Sequence, residues 1–323
     1  MIRVTLFTKQ ACQRCDEVRE KLNELQQEIP HDLVEIDVAA DPLLQREYGN
    51  GVPVVQVGPY SLEGPFTDRH LHVTLAAARD RGIHQPQAKP KSRRRVVGLN
   101  RFARALARHW TAIFNSILFL YVAVPFLAAV LMNSGLTTPG RLIYRLYNPL
   151  CHQLAYRSWF LFGDQAYYPL EQAGLDVTTY EQVSGLEGSD LYAARAFIGD
   201  EVIGYKVALC QRDVAIYAAM LVAGIVFALF RDNIKPLPLL VWLLIGIVPI
   251  AVDGGSQLLS ALPWFSFPLR ESTPLLRTLT GALFGIANIW MAYPYIQESM
   301  QEINLMATTN ILTAGEVAKQ THS

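Results

Sequence analysis

Four long apolar stretches in the later part of the chain constrain its fold more than any other feature. Residues 112 to 132 hold no charged side chain, and about 20 apolar residues in a helix match a hydrocarbon core of roughly 30 Å. Comparable stretches cover residues 214 to 230, 236 to 252 and 276 to 296. With 51% hydrophobic and 17% charged residues, the chain is too apolar for an ordinary soluble enzyme. We predict an all-α, polytopic membrane domain of about four transmembrane helices over residues 111 to 300.

The N-terminal third has a different pattern, in which strand-like and helix-like segments alternate. "IRVTLFTK" is rich in residues that favour strands, and residues 16 to 29 carry apolar side chains at helical spacing. Residues 32 to 38 and "GVPVVQVG" predict two further strands, "SLEGPF" a fourth, and residues 68 to 81 a closing helix. This order predicts a thioredoxin-like α/β domain over residues 1 to 83.

A Cys-x-x-Cys motif lies where the first predicted strand meets the first predicted helix. Free N–H groups at a helix start favour a thiolate, and Arg14 and Lys9 add positive charge near Cys12. Cys12 is therefore the candidate attacking thiolate, and Cys15 can resolve the mixed disulfide. Half of a zinc site is the alternative, but this domain offers no second Cys-x-x-Cys motif to complete it.

"TLFTKQACQRC", followed by "VEIDVAADPLLQREYGNGVPVV", resembles the glutaredoxin-like branch of the thioredoxin superfamily. In that family the proline of the Val-Pro step is cis and faces the cysteine pair, which implies this role for Pro53. The resemblance also implies a thiol–disulfide protein or a small thiol as partner. The glutathione-recognising residues of the family are not clear in this sequence, so glutathione as reductant is left open.

Residues 84 to 110 form a basic linker that ends at the first apolar stretch. A solvated linker and a nucleic-acid site are alternatives, but the position next to a span favours the positive flank that membrane proteins keep inside the cell. No secretory signal pattern opens the chain. We therefore predict a multi-pass protein of the plasma or inner membrane with a cytoplasmic N-terminal domain and no nucleic-acid partner. The basic side chains are Lys89, Lys91, Arg93, Arg94, Arg95, Arg101, Arg104 and Arg108.

Four crossings that start inside the cell place the intervening loops on defined sides. Residues 133 to 208 and 253 to 273 become outer loops, and residues 301 to 323 a polar cytoplasmic tail. Thr178 and Glu181 have the spacing of a helix start within the first outer loop. Polar groups near a membrane are costly, so they are usually paired or functional. The outer candidates are Cys151, His152, Arg157, Cys210, Arg212, Asp213, Asp253, Gln257, Arg270 and Glu271.

"CHQ", "RSWFLFG", "CQRDVAIY", "DGGSQLL" and "LREST" occur in that order between residues 140 and 298. They are similar to the signature blocks of a family of small prokaryotic membrane proteins of unknown function. Many members have a second cysteine at the position of Asp213. The resemblance implies no activity, so the chemistry of this region has to come from its residues.

Three interpretations of the outer cysteines are open. Cys151 and Cys210 can form a disulfide that closes a loop of about 60 residues and adds a few kcal/mol of stability. They can instead bind zinc with His152 and with Asp213 or Asp253. They can also be catalytic and pass electrons to a lipid-soluble acceptor such as a quinone. Simple polar packing is a further possibility, in which Arg157, Arg212 and Arg270 pair with the acidic residues.

The sequence thus predicts a membrane-tethered thiol–disulfide oxidoreductase with a cytoplasmic Cys-x-x-Cys site and a separate outer Cys/His/Asp site. One alternative is a thiol oxidase that relays electrons from Cys12 and Cys15 through Cys151 and Cys210. Sulfur-to-sulfur contact is required for that exchange, and the predicted topology separates the two pairs by a bilayer. A non-enzymatic metal-binding or redox-sensing protein is the other alternative. The sequence leaves the oligomeric state open.

Overall fold

The computed structural model describes residues 2–81, 90–231, 233–260 and 270–320, with side chains left undescribed at 90–95 and 319–320. It divides into two compact units. The first unit comprises Met1–His109 with Ser299–Ser323, and the second comprises Trp110–Glu298. Residues 84–89 of the predicted linker and residues 261–269 of the predicted outer loop lie outside the described residues.

The first unit contains a four-stranded sheet in the order β2-β1-β3-β4. β1 and β2 are parallel, whereas β3 is antiparallel to both β1 and β4. This arrangement confirms the predicted α/β fold, including the fourth strand. The elements are β1 (Ile2–Thr8), α1 (Gln13–Leu25), β2 (His31–Asp37), α2 (Pro42–Tyr48), β3 (Val54–Val57), β4 (Tyr60–Glu63) and α3 (Asp68–Asp80).

The two faces of this sheet are covered by different parts of the chain. Because side chains alternate along a strand, Val4 and Leu6 enter one apolar cluster with residues of α1 and α3, and Phe7 enters the other. The second cluster also contains Leu44 of α2. Residues of the C-terminal segment complete it, since Leu305, Leu312 and Val317 pack against it.

The segment from residue 301 is helical, where the sequence analysis expected a polar tail. It belongs to a helix that spans Pro274–Gln320, and its part from Ser299 onward groups with the first unit. The apolar side chains that pack on the sheet explain why this part is ordered as a helix. Residues 321–323 lie outside the described residues.

The second unit combines membrane-length helices with a small sheet. Its elements are most of α4 (Pro90–Asn133), α5 (Thr137–Tyr147), β5 (Ser158–Leu161), α6 (Tyr180–Ser184), α7 (Leu191–Ala196), β6 (Gly199–Asp200), β7 (Gly204–Cys210), α8 (Gln211–Phe230), α9 (Leu239–Val241), a π-helical segment (Trp242–Ile247), α10 (Val248–Ser260) and the first part of α11 (Pro274–Gln320). β7 is the central, antiparallel strand of the sheet β5-β7-β6.

Within the described residues, four helical segments are long and apolar enough to cross a membrane, as the sequence predicts. They are Val96–Asn133, Gln211–Phe230, Leu239–Ser260 and Pro274–Ala318. Many large apolar side chains on them are exposed, among them Phe119, Val222 and Leu240. Such exposure suits a lipid environment, because lipid tails are as apolar as the side chains.

The segment between the first two spans folds into a small subdomain. Its apolar cluster is built from aromatic residues such as Tyr156, Phe160 and Tyr180. The predicted helix start is wrong by one residue: Thr179 precedes α6, and its N–H donates to Gln182 Oε1 at 3.1 Å. Glu181 follows Thr178 by three residues, and Gln182 follows Thr179 by three. Either threonine therefore fits the pattern of a helix start, and the sequence alone could not decide between them.

Candidate functional site

Cys12 and Cys15 form a disulfide at the start of α1, with an S–S distance of 2.08 Å. Cys12 is the residue before the helix, and the N–H of Cys15 points at Cys12 Sγ at 3.2 Å. Cys12 is partly exposed, whereas Cys15 is buried. The Val52–Pro53 bond is cis, as the resemblance implied. The motif thus has an accessible sulfur that caps a helix and a second sulfur shielded behind it.

A second cysteine pair lies in the other unit and is unbonded. Cys151 is a buried free thiol and Cys210 a half-buried one. The sulfur atoms of both cysteines and a carboxylate oxygen of Asp213 all lie within 4.8 Å of one another. His152 is exposed and does not belong to this group, and neither does Asp253. Of the five predicted metal ligands, the structure therefore brings three together.

Two of these three residues lie in regular elements, and the third follows one. Cys210 ends β7 and precedes α8, and Asp213 lies in the first turn of α8. Cys151 follows α5, and its N–H donates to Tyr147 O at 3.0 Å. The N–H of Cys210 donates to Cys151 Sγ at 3.3 Å, and the N–H of Asp213 points at Cys210 Sγ at 3.5 Å. Both sulfurs thus face backbone donors.

The two thiols differ in acidity because the Cys210 thiol donates a hydrogen bond to the sulfur of Cys151. A hydrogen bond from Cys210 lowers the pKa of Cys151 below its usual value. The pKa of Cys210 is raised, first because of that hydrogen bond and then because of burial. A proton shared in this way makes Cys151 the more acidic thiol of the pair.

Lys206 is a fully buried cation in the same region, which the sequence analysis missed. Its Nζ donates to Gln153 O at 2.8 Å and to Arg195 O at 2.6 Å. Burial lowers the pKa of Lys206 to about 7. Within "GYKVALC" the lysine sits in a strand pattern, and no residue beside it signals that its side chain turns inward.

Asp253 lies at the centre of a first ion-pair cluster. Arg212 Nη2 donates to Asp253 Oδ2 at 2.5 Å, and Ser272 Oγ donates to the same oxygen at 2.9 Å. Arg270 Nη2 donates to Asp253 Oδ1 at 3.3 Å. Gln257 accepts from Arg212 at 3.4 Å. Because its carboxylate is fully engaged by cations and a hydroxyl, Asp253 acts here as an ion-pair partner.

Glu271 lies at the centre of a second cluster. Arg157 binds both of its carboxylate oxygens, Nε at 2.8 Å and Nη2 at 2.7 Å. The buried Arg277 also donates to Glu271 and, through Nη1, to Gln211 Oε1 at 3.1 Å. Gln211 in turn donates to Ser158 O at 3.1 Å. The expectation that at least one of the predicted arginines pairs with an acidic residue is confirmed.

Glycines on α11 allow this second cluster to form. A Cβ at Gly281 would lie 2.9 Å from Arg212 O, and one at Gly285 would lie 2.3 Å from Ile216 O. Small residues four apart let two membrane helices approach closely. α11 therefore lies against α8, and Arg277, one turn before Gly281, reaches Gln211. A charged residue within an apolar stretch was the signal that could have identified Arg277.

Comparisons with known proteins also distinguish an N-terminal domain from a membrane region in this chain. Residues 3–76 match the family described as a glutaredoxin-like domain (DUF836), and residues 195–291 match the family described as a predicted membrane protein (DUF2085). An uncharacterized protein of Methanocaldococcus jannaschii is 25% identical over 200 residues, which cover 60% of this chain and 96% of that protein. No solved structure matches the chain. The chain thus carries a glutaredoxin-like domain and a region similar to a membrane-protein family.

Proposed function

We propose that this protein is a membrane-tethered thiol–disulfide oxidoreductase that reacts through Cys12 and Cys15. The observation that carries the proposal is the placement of the pair, with Cys12 accessible before α1 and Cys15 buried one turn later. The helix start favours a thiolate at Cys12, and the neighbouring sulfur is positioned to resolve an intermediate.

The exchange proceeds in two balanced steps. The Cys12 thiolate attacks one sulfur of a substrate disulfide, which forms a mixed disulfide and releases the other substrate sulfur as a thiolate. The Cys15 thiolate then attacks the Cys12 sulfur and releases the second substrate thiolate. The substrate gains two electrons, and the Cys12–Cys15 disulfide of the structure is the oxidised product. A thiol–disulfide protein or a small thiol restores the reduced pair. By the resemblance, Pro53 lies against the reacting sulfurs.

The proposed compartment for this chemistry is the cytoplasm. Basic residues before the first span favour retention of the N-terminal domain inside the cell. Thiol labelling of intact cells with a membrane-impermeant maleimide tests this, and we expect Cys12 to stay unlabelled until the cells are permeabilised. Labelling of Cys12 in intact cells would contradict the orientation without affecting the chemistry.

Turnover of a small disulfide by the full-length protein in detergent tests the activity. We expect Cys12→Ser to abolish turnover and Cys15→Ser to accumulate a mixed disulfide at Cys12, detectable by mass spectrometry. Cys151→Ser is the matched control, because it removes a thiol from the other pair. Turnover that persists in Cys12→Ser would overturn the proposal.

A further inference from the structure

Cys151, Cys210 and Asp213 present a donor set that the thiol–disulfide chemistry does not use. Their three ligand atoms lie within 4.8 Å of one another. Two thiolates and a carboxylate are suitable donors for Zn²⁺, and soft sulfur donors favour thiophilic metals. Zn–S bonds of about 2.3 Å place two tetrahedral ligands about 3.8 Å apart. Small side-chain movements would therefore close the group around an ion.

Backbone N–H groups orient both sulfurs in a way that suits metal binding. The N–H of Cys210 donates to Cys151 Sγ at 3.3 Å, and the N–H of Asp213 points at Cys210 Sγ at 3.5 Å. Metal-bound thiolates commonly have such outer partners, which fix their orientation. Two of the three residues also lie in regular elements, since Cys210 ends β7 and Asp213 lies in the first turn of α8.

The cations near the group have partners of their own, including Lys206, whose Nζ donates to two backbone carbonyls. Among the described residues, the arginines of the neighbouring clusters are paired elsewhere, Arg157 with Glu271 and Arg212 with Asp253. Asp213 is in none of the salt bridges of the described part of the chain. Two thiolates and a carboxylate this close together repel one another unless protons or a metal ion compensate the charge.

We propose that Cys151, Cys210 and Asp213 bind a thiophilic divalent cation of the Zn²⁺ class, with the remaining coordination position open to water or a small ligand. Binding displaces the thiol protons into solvent, so it weakens as the pH falls. Three protein ligands with an open position are typical of reactive rather than purely structural zinc sites.

Metal titration of the purified full-length protein tests this proposal. Cys12→Ser/Cys15→Ser serves as background, so that any thiolate–metal signal comes from the second pair. Co²⁺ added to the reduced protein is expected to give thiolate-to-metal charge-transfer absorption at one ion per chain, and Zn²⁺ to displace it. Cys151→Ser and Cys210→Ser should each abolish this absorption. Asp213→Asn should weaken binding about tenfold or more, the loss that even an outer-shell change produces.

His152→Ala is the matched control, because His152 is exposed and lies outside the group; it should bind like the background protein. A second measurement needs no substitution at the site, so misfolding of a variant cannot explain its result. Bound Zn²⁺ should protect Cys151 and Cys210 from alkylation, and a chelator should reverse the protection. No Co²⁺ absorption, binding that survives loss of both cysteines, or a stable Cys151–Cys210 disulfide in freshly isolated protein would each overturn the proposal.

Discussion

The two cysteine pairs of this protein are built in opposite ways. Cys12 and Cys15 are three residues apart, and one strand-to-helix junction positions both. Cys151 and Cys210 are 59 residues apart, and they meet only because a whole subdomain folds between them. The first pair depends on local backbone geometry, whereas the second depends on long-range packing and buried charge. Perturbations far along the chain should therefore affect the two pairs unequally.

Removal of the Glu271 carboxylate should produce the largest effect. Glu271→Gln leaves the buried Arg277 and its neighbour Arg157 without their shared anion, and breaking a buried ion pair costs about 3–5 kcal/mol. We expect a clear fall in the thermal midpoint of the second unit in detergent. Glu201→Gln is the control, because Glu201 is exposed and should leave the midpoint unchanged. Equal midpoints for the two variants would show that the long-range charges do not hold this region.

The free energy of unfolding should change with pH because the pKa of Lys206 differs between the folded and unfolded states. Burial and the nearby Arg195 lower the pKa of Lys206 to about 7, against an opposing effect of Cys151. Between about pH 7 and the unfolded value near 10.4, the unfolded state binds more protons, so stability rises with pH. The contribution is about 1.4 kcal/mol per pH unit across that window.

Unfolding measured from pH 7 to 10 should therefore be steeper for the wild type than for Lys206→Met. The slope is the diagnostic, because the variant also loses two hydrogen bonds to backbone carbonyls. Parallel slopes for the two proteins would show that Lys206 titrates normally.

A smaller effect is expected in the first unit from the C-terminal helix. Leu305→Ala removes a half-buried side chain that packs on the second face of the sheet, so we expect a loss of about 1–2 kcal/mol, below the range for full burial. Met306→Ala is the matched control, since the adjacent Met306 is 62% exposed. Chemical denaturation of the reduced protein, followed by alkylation of the buried Cys15, measures the difference. The same loss in both variants would show that the packing is not specific.

The smallest expected effect is the one that tests the independence of the two pairs. Cys151→Ser/Cys210→Ser should leave the Cys12-dependent turnover of a small disulfide unchanged, because that exchange needs only the first pair. Wild-type and variant rates measured side by side decide the question. A severe drop in turnover, with an intact fold, would favour the electron relay between the pairs.

The local pair could be predicted from sequence because its physics is local. A strand, a Cys-x-x-Cys and an amphipathic helix are contiguous, so spacing alone places Cys12 at the helix start. The four apolar stretches were equally clear, because the bilayer fixes their length and composition. The helix boundary at Thr179 was missed by one residue because two adjacent threonines satisfy the same pattern.

The second site could be predicted only as a set of residue types. Sequence indicated that arginines and acids would pair, but not that Arg157 and Arg277 share Glu271, or that Arg212 and Arg270 share Asp253. One part of this arrangement, the contact of Arg277 with Gln211, follows from the close approach of α11 to α8 at Gly281 and Gly285. Such an approach is a tertiary event, and no short window of sequence contains it.

The packing of Leu305, Leu312 and Val317 on the N-terminal sheet has a consequence for biosynthesis. A ribosome makes the strands of that sheet first and these three side chains only at the end of α11, after the first three membrane-length helices. The nascent domain therefore emerges with one sheet face incomplete, and this apolar surface stays uncovered while the spans are inserted. Chaperone occupancy of stalled nascent chains should accordingly persist until residue 317 has left the exit tunnel.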